Sequence, residues 1–311
     1  MKKFALWTAA ILFLLLAGES IYVYSILNRI RHVPLTAPEP VASEDSGEPA
    51  STPKPLTPED LGITVDSPDE KETEVINILL FGLDRRSREE RSRSDTIMIA
   101  TIDKKNKTLK LTSLMRDMYV PIPGRADNRI NAAYAFGGAA LAIQTVNRNF
   151  HLDITRYITV DFFGLEKIID RLGGVSIDVT PGEAQILGVS SGVQTLNGEQ
   201  AVRYSRIRRI GNDYARTERQ RTVLSEMFKK AKAINMIQYP DLVATFMPHI
   251  ETNMSKLEIM SLALQLSSFK GEIQQYRLPV DGTFQSRRIQ GKAVLVPDIE
   301  KKHPASEAIH L

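Results

Sequence analysis

Between residues 73 and 295, short apolar runs of strand length alternate with longer segments of helical spacing, and this alternation restricts the fold class. The strand-like runs lie at 75–84, 95–103, 108–115, 157–162, 175–179 and 273–280. The helical segments lie at 131–150, 163–172, 217–234, 237–248 and 255–269. The runs at 95–103 and 108–115 flank four polar residues and predict a β-hairpin. The pattern predicts one α/β domain, a three-layer αβα arrangement with helices on both faces of a central mixed β-sheet.

The N-terminus contains an apolar stretch of membrane-spanning length. An apolar run at residues 4–17 follows two lysines, and after Glu19 uncharged residues continue to residue 28. About 25 residues suffice to cross a bilayer with some tilt. A cleaved signal peptide ending near Gly18 is the alternative. The apolar residues at 21–27 favour a single retained N-terminal transmembrane helix.

The composition changes abruptly near residue 73. Residues 33–72 are rich in Pro, Ser, Glu and Asp and poor in apolar residues, which is typical of linkers. We therefore predict a membrane anchor at 1–28, a disordered extracytoplasmic spacer at 29–72, the α/β domain at 73–295 and a C-terminal tail at 296–311. Basic residues on the two sides of the anchor are balanced, and we expect the N-terminus inside the cell and the domain outside.

Charge is distributed unevenly along the chain. Residues 1–72 contain 6 Lys/Arg against 11 Asp/Glu, whereas residues 73–311 contain 34 against 26. The positive charge of residues 73–311 favours an anionic partner, whether nucleic acid, membrane surface or phosphorylated substrate. The sequence contains no cysteine, which excludes disulfides, thiolate metal sites and cysteine nucleophiles.

Several familiar enzyme signatures are missing from the sequence. It has no Walker A motif and no dinucleotide-binding fingerprint. Residues 188–192, GVSSG, match G-x-S-x-G, but this loop of small residues does not join a strand to a helix as a nucleophile elbow requires. The histidines have no partner at ligand spacing, so the sequence does not favour a histidine-based metal site.

Two acidic residues stand where predicted strands end or begin. Asp84 ends the first strand and Asp95 begins the second, so both could project from one sheet edge, where α/β proteins commonly build ligand sites. Two carboxylates with open positions suit Mg²⁺, or Mn²⁺ in its place. The alternative is a turn-forming role for Asp84 and a capping role for Asp95.

Residues 205–221, SRIRRIGNDYARTERQR, contain six arginines and no lysine. A solvated helix face accepts either cation, whereas a guanidinium grips phosphate through two parallel hydrogen bonds. Arg216 and Gln220 are four residues apart and share a helical face near its N-terminus, which favours anions. We expect Arg209, Arg219 and Arg221 to face solvent.

Three separate segments supply arginines to one predicted location. Arg85 follows Asp84, Arg116 and Asp117 follow the strand at 108–115, and the third segment is 205–221. The sequence predicts an anion-binding site built from all three. A purely solvated arrangement of these arginines is the alternative.

Seven motifs, in order along residues 75–235, resemble the LytR-CpsA-Psr family. They are FGLDRR (81–86), RSDTIMIATID (93–103), LTSLMRDMYVPIPG (111–124), RINAAYAFGG (129–138), DRLGGVSIDV (170–179), LNGEQAVRYSRIR (196–208) and DYARTERQ (213–220). Two departures are LMRD in place of the commoner I-P-R-D, and RYITVDF in place of a D-Y-Y start.

This resemblance implies a membrane-anchored, Mg²⁺-dependent phosphotransferase of Gram-positive bacteria. Such an enzyme moves an anionic glycopolymer, of teichoic acid, teichuronic acid or capsular polysaccharide type, from a polyprenyl-pyrophosphate carrier to a peptidoglycan hydroxyl, forming a phosphodiester. A pyrophosphatase side activity is also implied. The implied partners are the lipid-linked glycopolymer, peptidoglycan and the membrane, with no nucleic acid. The implied fold places an arginine-lined pyrophosphate site beside an apolar groove for the prenyl tail.

The resemblance also implies roles for individual residues, carried over motif by motif. Asp84 and Asp95 would hold the metal. The pyrophosphate would be bound by Arg85, Arg116, Arg206, Arg208, Arg216 and Gln220. Arg116, Arg206, Arg208 and Asp95 would act in catalysis, with Asp117 and Asp213 in support. Two other functions stay open: a non-catalytic polyprenyl-phosphate or anionic-polymer binding protein, and a transcriptional regulator.

Overall fold

The computed structural model describes residues 31–36, 56–63, 74–84, 94–234, 246–267, 269 and 271–298. Among these residues, none of the helices has the length and apolar character needed to cross a bilayer. The expected anchor at 1–28 and Arg85 lie outside the described residues, as does most of the helix predicted at 237–248.

The domain alternates strands and helices along most of its length. The strands are β1 (Arg31–His32), β2 (Val75–Leu83), β3 (Ser94–Asp103), β4 (Thr108–Leu114), β5 (Tyr119–Val120), β6 (Asn128–Arg129), β7 (Arg156–Asp161), β8 (Val175–Val179), β9 (Gly192–Leu196), β10 (Ile250–Thr252), β11 (Gln274–Leu278), β12 (Phe284–Ile289) and β13 (Lys292–Pro297). The helices are α1 (Asn131–Phe150), α2 (Phe162–Arg171), α3 (Pro181–Leu187), α4 (Gly198–Ser205), α5 (Asp213–Ala233) and α6 (Lys256–Ser267).

Seven of these strands form a central mixed sheet in the order β1-β10-β7-β2-β3-β4-β11. The predicted hairpin is confirmed, because β3 and β4 pair antiparallel around the four polar residues. β2 pairs antiparallel with β3 and parallel with β7, and β4 pairs parallel with β11. The prediction of an α/β fold with a mixed sheet is therefore confirmed.

Helices cover both faces of this sheet. Along β2, Leu79 and Phe81 belong to the core under α1, while Ile78 and Leu80 belong to the core under α5 and α6. Successive side chains of a strand point to opposite faces, so a strand buried on both faces has a continuous apolar sequence. This explains why residues 75–83 lack the polar–apolar alternation of a half-exposed strand.

A second, smaller core lies beside the sheet. β8 was predicted as a strand, and it pairs with β9 in a separate two-stranded sheet instead of joining the central one. Buried residues of this pair pack with α3, α4 and the side of α5, including Ile177, Leu187, Ala201 and Val223. The smaller core therefore supports the loop at residues 206–212, between α4 and α5.

Two segments of the predicted spacer contact the domain. β1 pairs in parallel with β10, and Leu61 is buried in the core under α1. The amide of Asn147 on α1 donates to the Leu61 carbonyl at 3.0 Å. Residues 31–36 and 56–63 of the predicted spacer therefore pack on the domain, through a short strand and through isolated apolar residues in a Pro-rich stretch.

Candidate active site

Antiparallel pairing brings two acidic residues and an arginine to one edge of the central sheet. Leu83 at the end of β2 lies opposite Ser94 at the start of β3, so Asp84 and Asp95 both lie at this edge. β4 runs antiparallel to β3 and ends two residues before Arg116. Three residues that the sequence places at strand ends therefore lie at the same edge of the sheet.

Arg116 lies at the centre of the resulting cluster. Its Nη1 donates to Asp95 Oδ1 at 2.7 Å, and its Nε lies 3.6 Å from Asp117 Oδ2 and 3.4 Å from Asp213 Oδ2. Burial lowers the pKa of Arg116, but attraction from Asp213, Asp95 and Asp117 outweighs burial and raises the pKa above its usual value. Arg116 is a permanent cation here.

The loop after α4 brings two further arginines to the same edge. Arg206 Nη2 donates to Asp84 Oδ2 at 2.7 Å, and its guanidinium carbon lies 4.7 Å from the centre of the Phe162 ring. Arg208 Nη2 lies 3.5 Å from Asp95 Oδ2. Asp95 is therefore held between Arg208 and Arg116, which come from distant parts of the chain.

Helix α5 supplies a buried arginine whose hydrogen-bonding capacity is only partly used. Asn212 caps the helix by accepting from the backbone N–H groups of Tyr214 and Ala215, and Arg216 follows in the first turns. Arg216 is 3% exposed and donates from Nη2 to Asp213 Oδ2 at 3.1 Å. Its Nε and Nη1 have no hydrogen-bond partner among the described residues, and neither has Oε1 of the buried Gln220.

A buried hydrogen-bond donor without an acceptor destabilises the folded state. Native structures therefore seldom retain one unless a ligand or a water molecule accepts the bond. Burial lowers the pKa of Arg216, and the nearby cations Arg116 and Arg208 lower it further. Three guanidiniums therefore repel one another around a point where Nε and Nη1 of Arg216 and Nε of Arg116 lack hydrogen-bond acceptors among the described residues. The arrangement is suited to an anion with several oxygens.

An apolar cavity of about 290 Å³ adjoins this cluster. It lies between the central sheet and helices α2 and α5, and its wall includes the apolar side chains of Leu80, Met98, Ile158, Leu224, Met227 and Phe246. Gln220 and Phe162 also line it. Gln220 belongs to the same helix as Arg216, and Phe162 stacks under Arg206, so residues next to the cationic cluster also line the cavity.

Asp84 and Asp95 are the carboxylates at this edge of the sheet. Carboxylate oxygens are of the donor type that Mg²⁺ binds, and Mg²⁺ keeps several waters and is held through one or two carboxylates plus substrate phosphates. In the described part of the chain, no group of three or more His, Cys, Asp or Glu residues is placed to hold a metal. Both carboxylates also pair with arginines, so a bound cation would compete with these guanidiniums for the carboxylate oxygens.

Comparison with known proteins agrees with these features. The sequence model of the LytR_cpsA_psr family matches residues 43–308. The chain belongs to this family. Relatives include the polyisoprenyl-teichoic acid–peptidoglycan teichoic acid transferase TagU of Enterococcus faecalis, 34% identical over 219 residues, 68% of this chain and 72% of the relative. The protein of the same name from Bacillus cereus is 27% identical over 289 residues, 90% of this chain and 89% of the relative.

A solved family structure has the same fold. The Bacillus subtilis protein YwtF (TagT), with bound octaprenyl pyrophosphate lipid, matches with a TM-score of 0.63 and 23% identity, covering 79% of this chain and 92% of that one. At this identity the match establishes the architecture of the LytR_cpsA_psr domain.

Two arginines expected to face solvent are buried, and that expectation is wrong. Arg219 Nε donates to Glu183 Oε1 at 2.6 Å, and Arg221 Nη1 donates to the Ser113 hydroxyl at 2.8 Å. Each is buried because a polar partner from another element satisfies it. Arg209 is exposed as predicted.

Sequence reasoning missed Arg129, which joins the cluster through Asp117. Arg129 Nη1 donates to Asp117 Oδ1 at 2.8 Å, and Asp117 in turn lies against Arg116. Arg129 stands in the motif RINAAYAFGG just before α1, and its position directly before a helix beside a motif arginine is the only signal the sequence offers. The cluster therefore includes a guanidinium that the sequence analysis did not predict.

Proposed function

We propose that this protein is a phosphotransferase that moves an anionic glycopolymer from a polyprenyl-pyrophosphate carrier to a peptidoglycan hydroxyl, forming a phosphodiester. The polymer is of teichoic acid, teichuronic acid or capsular polysaccharide type. Membership of the LytR_cpsA_psr family and the names of the TagU relatives support this proposal. So does a related structure that holds an octaprenyl pyrophosphate lipid.

One observation carries the proposal: the buried, incompletely paired Arg216 lies one helical turn from Gln220, which lines the apolar cavity. A diphosphate attached to a hydrocarbon chain needs these two environments side by side. The guanidiniums of Arg116, Arg206, Arg208 and Arg216 would bind the diphosphate, and the cavity would take the first part of the prenyl chain.

Positioning and charge neutralisation are sufficient for phosphoryl transfer, without a covalent enzyme intermediate. The acceptor hydroxyl attacks the phosphorus on the polymer side, a new P–O bond forms, and the bridging P–O bond to polyprenyl phosphate breaks. The leaving phosphate takes the bonding electron pair and is stabilised by the arginines. The hydroxyl proton passes to a carboxylate of the cluster, Asp95 or Asp117.

Asp84 and Asp95 would hold Mg²⁺ or Mn²⁺ beside the diphosphate. The ion would supply additional neutralisation of the phosphate oxygens. Asp117 and Asp213 hold Arg116 through contacts of 3.6 Å and 3.4 Å. The guanidinium of Arg116 would therefore face the substrate in a fixed orientation. A pyrophosphatase side activity follows if water replaces the acceptor hydroxyl.

The substrates and relatives support a location at the cell envelope. Residues 1–28 would form the single transmembrane anchor, with the domain on the extracytoplasmic side, where peptidoglycan and the lipid-linked donor meet. This topology also fits a prenyl chain that reaches the cavity directly from the bilayer surface.

The test uses purified protein, Mg²⁺, a polyprenyl-diphosphate-linked glycopolymer and a peptidoglycan oligomer. Mass spectrometry of the products is expected to detect the phosphodiester-linked polymer, together with polyprenyl phosphate. Donor binding without either product would favour a non-catalytic lipid-phosphate or polymer-binding protein. Release of polyprenyl phosphate in the absence of acceptor would measure the hydrolytic side activity.

A further inference from the structure

Arg206 and Arg208 lie in a loop, residues 206–212, that must be held in place by other parts of the molecule. All seven residues are described, and they lie between the end of α4 and the start of α5. A loop does not satisfy its own backbone groups as a helix or strand does, so its position depends on bonds from its surroundings. A diphosphate clamp needs both arginines at fixed positions relative to α5.

Arg219 on α5 supplies those bonds. Its Nη1 donates to the carbonyl of Ile207 at 3.2 Å, and its Nη2 donates to the carbonyl of Ile210 at 3.0 Å. Ile207 stands between Arg206 and Arg208 in the chain. One planar guanidinium therefore fixes the backbone between the two site arginines and the backbone that follows them.

Glu183 on α3 holds the other side of Arg219. Its Oε1 accepts from Arg219 Nε at 2.6 Å. Its Oε2 accepts from the backbone N–H of Thr180 at 3.0 Å and from the Thr180 hydroxyl at 2.8 Å. Glu183 and Arg219 are each 6% exposed, and all the hydrogen bonds named here are made within the protein.

Burial raises the pKa of Glu183, but hydrogen bonds from Arg219 and Thr180 outweigh burial and lower it. A buried carboxylate that stays ionised fixes the orientation of its guanidinium partner. The direction of the Arg219 fork toward Ile207 and Ile210 is thereby determined from α3.

The geometry points to Arg219 and Glu183 as positioning residues that set the distance between loop 206–212 and helix α5. Arg219 lies three residues after Arg216 and one before Gln220. Helix α5 therefore carries one part of the diphosphate site and also the side chain that holds the loop with the other part. This inference rests on the proposed function for the identity of the ligand. The mechanical role of the pair can be measured independently of that function.

The central variant is Arg219→Lys. A lysine keeps the charge opposite Glu183 but loses the planar fork that reaches two carbonyls at once. The expected result is a loss of about a hundredfold in kcat/KM for the lipid-linked donor, since displacement of catalytic groups by about 1 Å has effects of that size. Hydrogen–deuterium exchange is expected to accelerate in the peptide covering 206–212 and to stay unchanged in β2 and β3.

Arg221→Lys is the matched control. Arg221 lies on the same helix, is similarly buried, and donates to Ser113 and Gln275 on the sheet side, not to the loop. This variant is expected to lower the melting temperature while keeping the exchange rate of loop 206–212 and the donor kcat/KM of the wild type. A pair that only stabilises the fold would give the same pattern for both variants.

A double variant, Glu183→Met/Arg219→Met, covers the case in which Arg219→Lys does not fold. Replacing a buried ion pair by apolar side chains often preserves stability, but methionine cannot donate to the loop carbonyls.

Wild-type transfer together with wild-type loop exchange in either folded variant overturns the inference. If the wild type transfers no polymer, the proposed function fails. In that case faster loop exchange and weaker binding of farnesyl diphosphate in Arg219→Lys still support the positioning role, and unchanged values refute it.

Discussion

Arg116 and Asp95 are joined by a 2.7 Å hydrogen bond across the sheet edge, although 21 positions separate them in the sequence. The same carboxylate lies 3.5 Å from Arg208. Asp95 therefore neutralises the guanidiniums that a diphosphate would contact. An incoming diphosphate has to compete with this carboxylate, and a divalent cation on Asp95 would leave the arginines free for the phosphate oxygens.

Replacing Arg116 by lysine tests whether bidentate binding matters. A lysine keeps the positive charge but cannot form parallel hydrogen bonds to two oxygens. We expect transfer activity to fall by about a hundredfold, as when a preorganised charge-stabilising donor is removed. The measurement is kcat/KM for the lipid-linked donor, with circular dichroism to verify the fold.

Arg209→Lys is the control for this experiment, because Arg209 lies in the same arginine-rich segment and is exposed. It is expected to behave as the wild type. Full activity of Arg116→Lys would remove the argument that this site requires guanidinium groups.

Metal dependence is the second prediction. Chelation with EDTA is expected to abolish transfer, and added Mg²⁺ to restore it. Asp84→Asn removes one of the two carboxylates and is expected to raise the Mg²⁺ concentration needed for half-maximal activity by at least about tenfold. Asp178→Asn, which changes an exposed carboxylate on β8, is the control and should leave the Mg²⁺ dependence unaltered.

Strands β2, β3, β4 and β7 of the central sheet could be predicted because each one is a short run rich in apolar residues. Strands β1 and β10 of the same sheet were not predicted, since they are only two and three residues long. Strand β2 is buried on both faces, so nearly all of its residues are apolar and the strand is recognisable from the sequence. The hairpin of β12 and β13 gives no such signal, since the inner residues of Phe284–Ile289 are polar and exposed. Its packing is tertiary: the backbone N–H of Leu295 donates to the carbonyl of Asp117 at 3.0 Å.

The residue types at the site could also be predicted, but not which way each arginine on α5 faces. Arg216, Arg219 and Arg221 lie within two turns, and a helix directs them to different sides. Arg219 binds a glutamate 36 positions away, and Arg221 binds a serine 108 positions away. Such partners are decided by the packing of whole elements, which the spacing of arginines along one helix does not encode.

Tyr204 provides the third prediction, a loss of stability at alkaline pH. Burial, aided by the nearby carboxylate of Glu183, raises the pKa of Tyr204 from 10.0 to about 12. The folded state therefore keeps its proton at pH values where the unfolded state releases it. The stabilisation is fully present below pH 10 and is lost as pH rises towards 12, on the order of 2 kcal/mol in total.

Urea unfolding at several pH values checks this prediction. The free energy of unfolding of Tyr204→Phe is expected to decline less between pH 10 and 12 than that of the wild type. Equal declines in the two proteins would show that this hydroxyl does not account for the alkaline sensitivity.

The apolar cavity gives the fourth prediction, which concerns the length of the prenyl chain. Met227 lines the cavity on the α5 side, and tryptophan there would occupy part of its volume. The cavity takes only the first part of a prenyl chain, and each methylene enclosed there gains roughly 0.8 kcal/mol. A ten-carbon chain therefore buries less hydrocarbon in it than a chain of about forty carbons. Met227→Trp is therefore expected to weaken binding of the long diphosphate much more than binding of the short one, as measured by calorimetry.

Met260→Trp, at an exposed position on α6, is the control. Unchanged binding of the long diphosphate in Met227→Trp would place the prenyl chain outside this cavity, because a steric block inside it can act only on a ligand that enters.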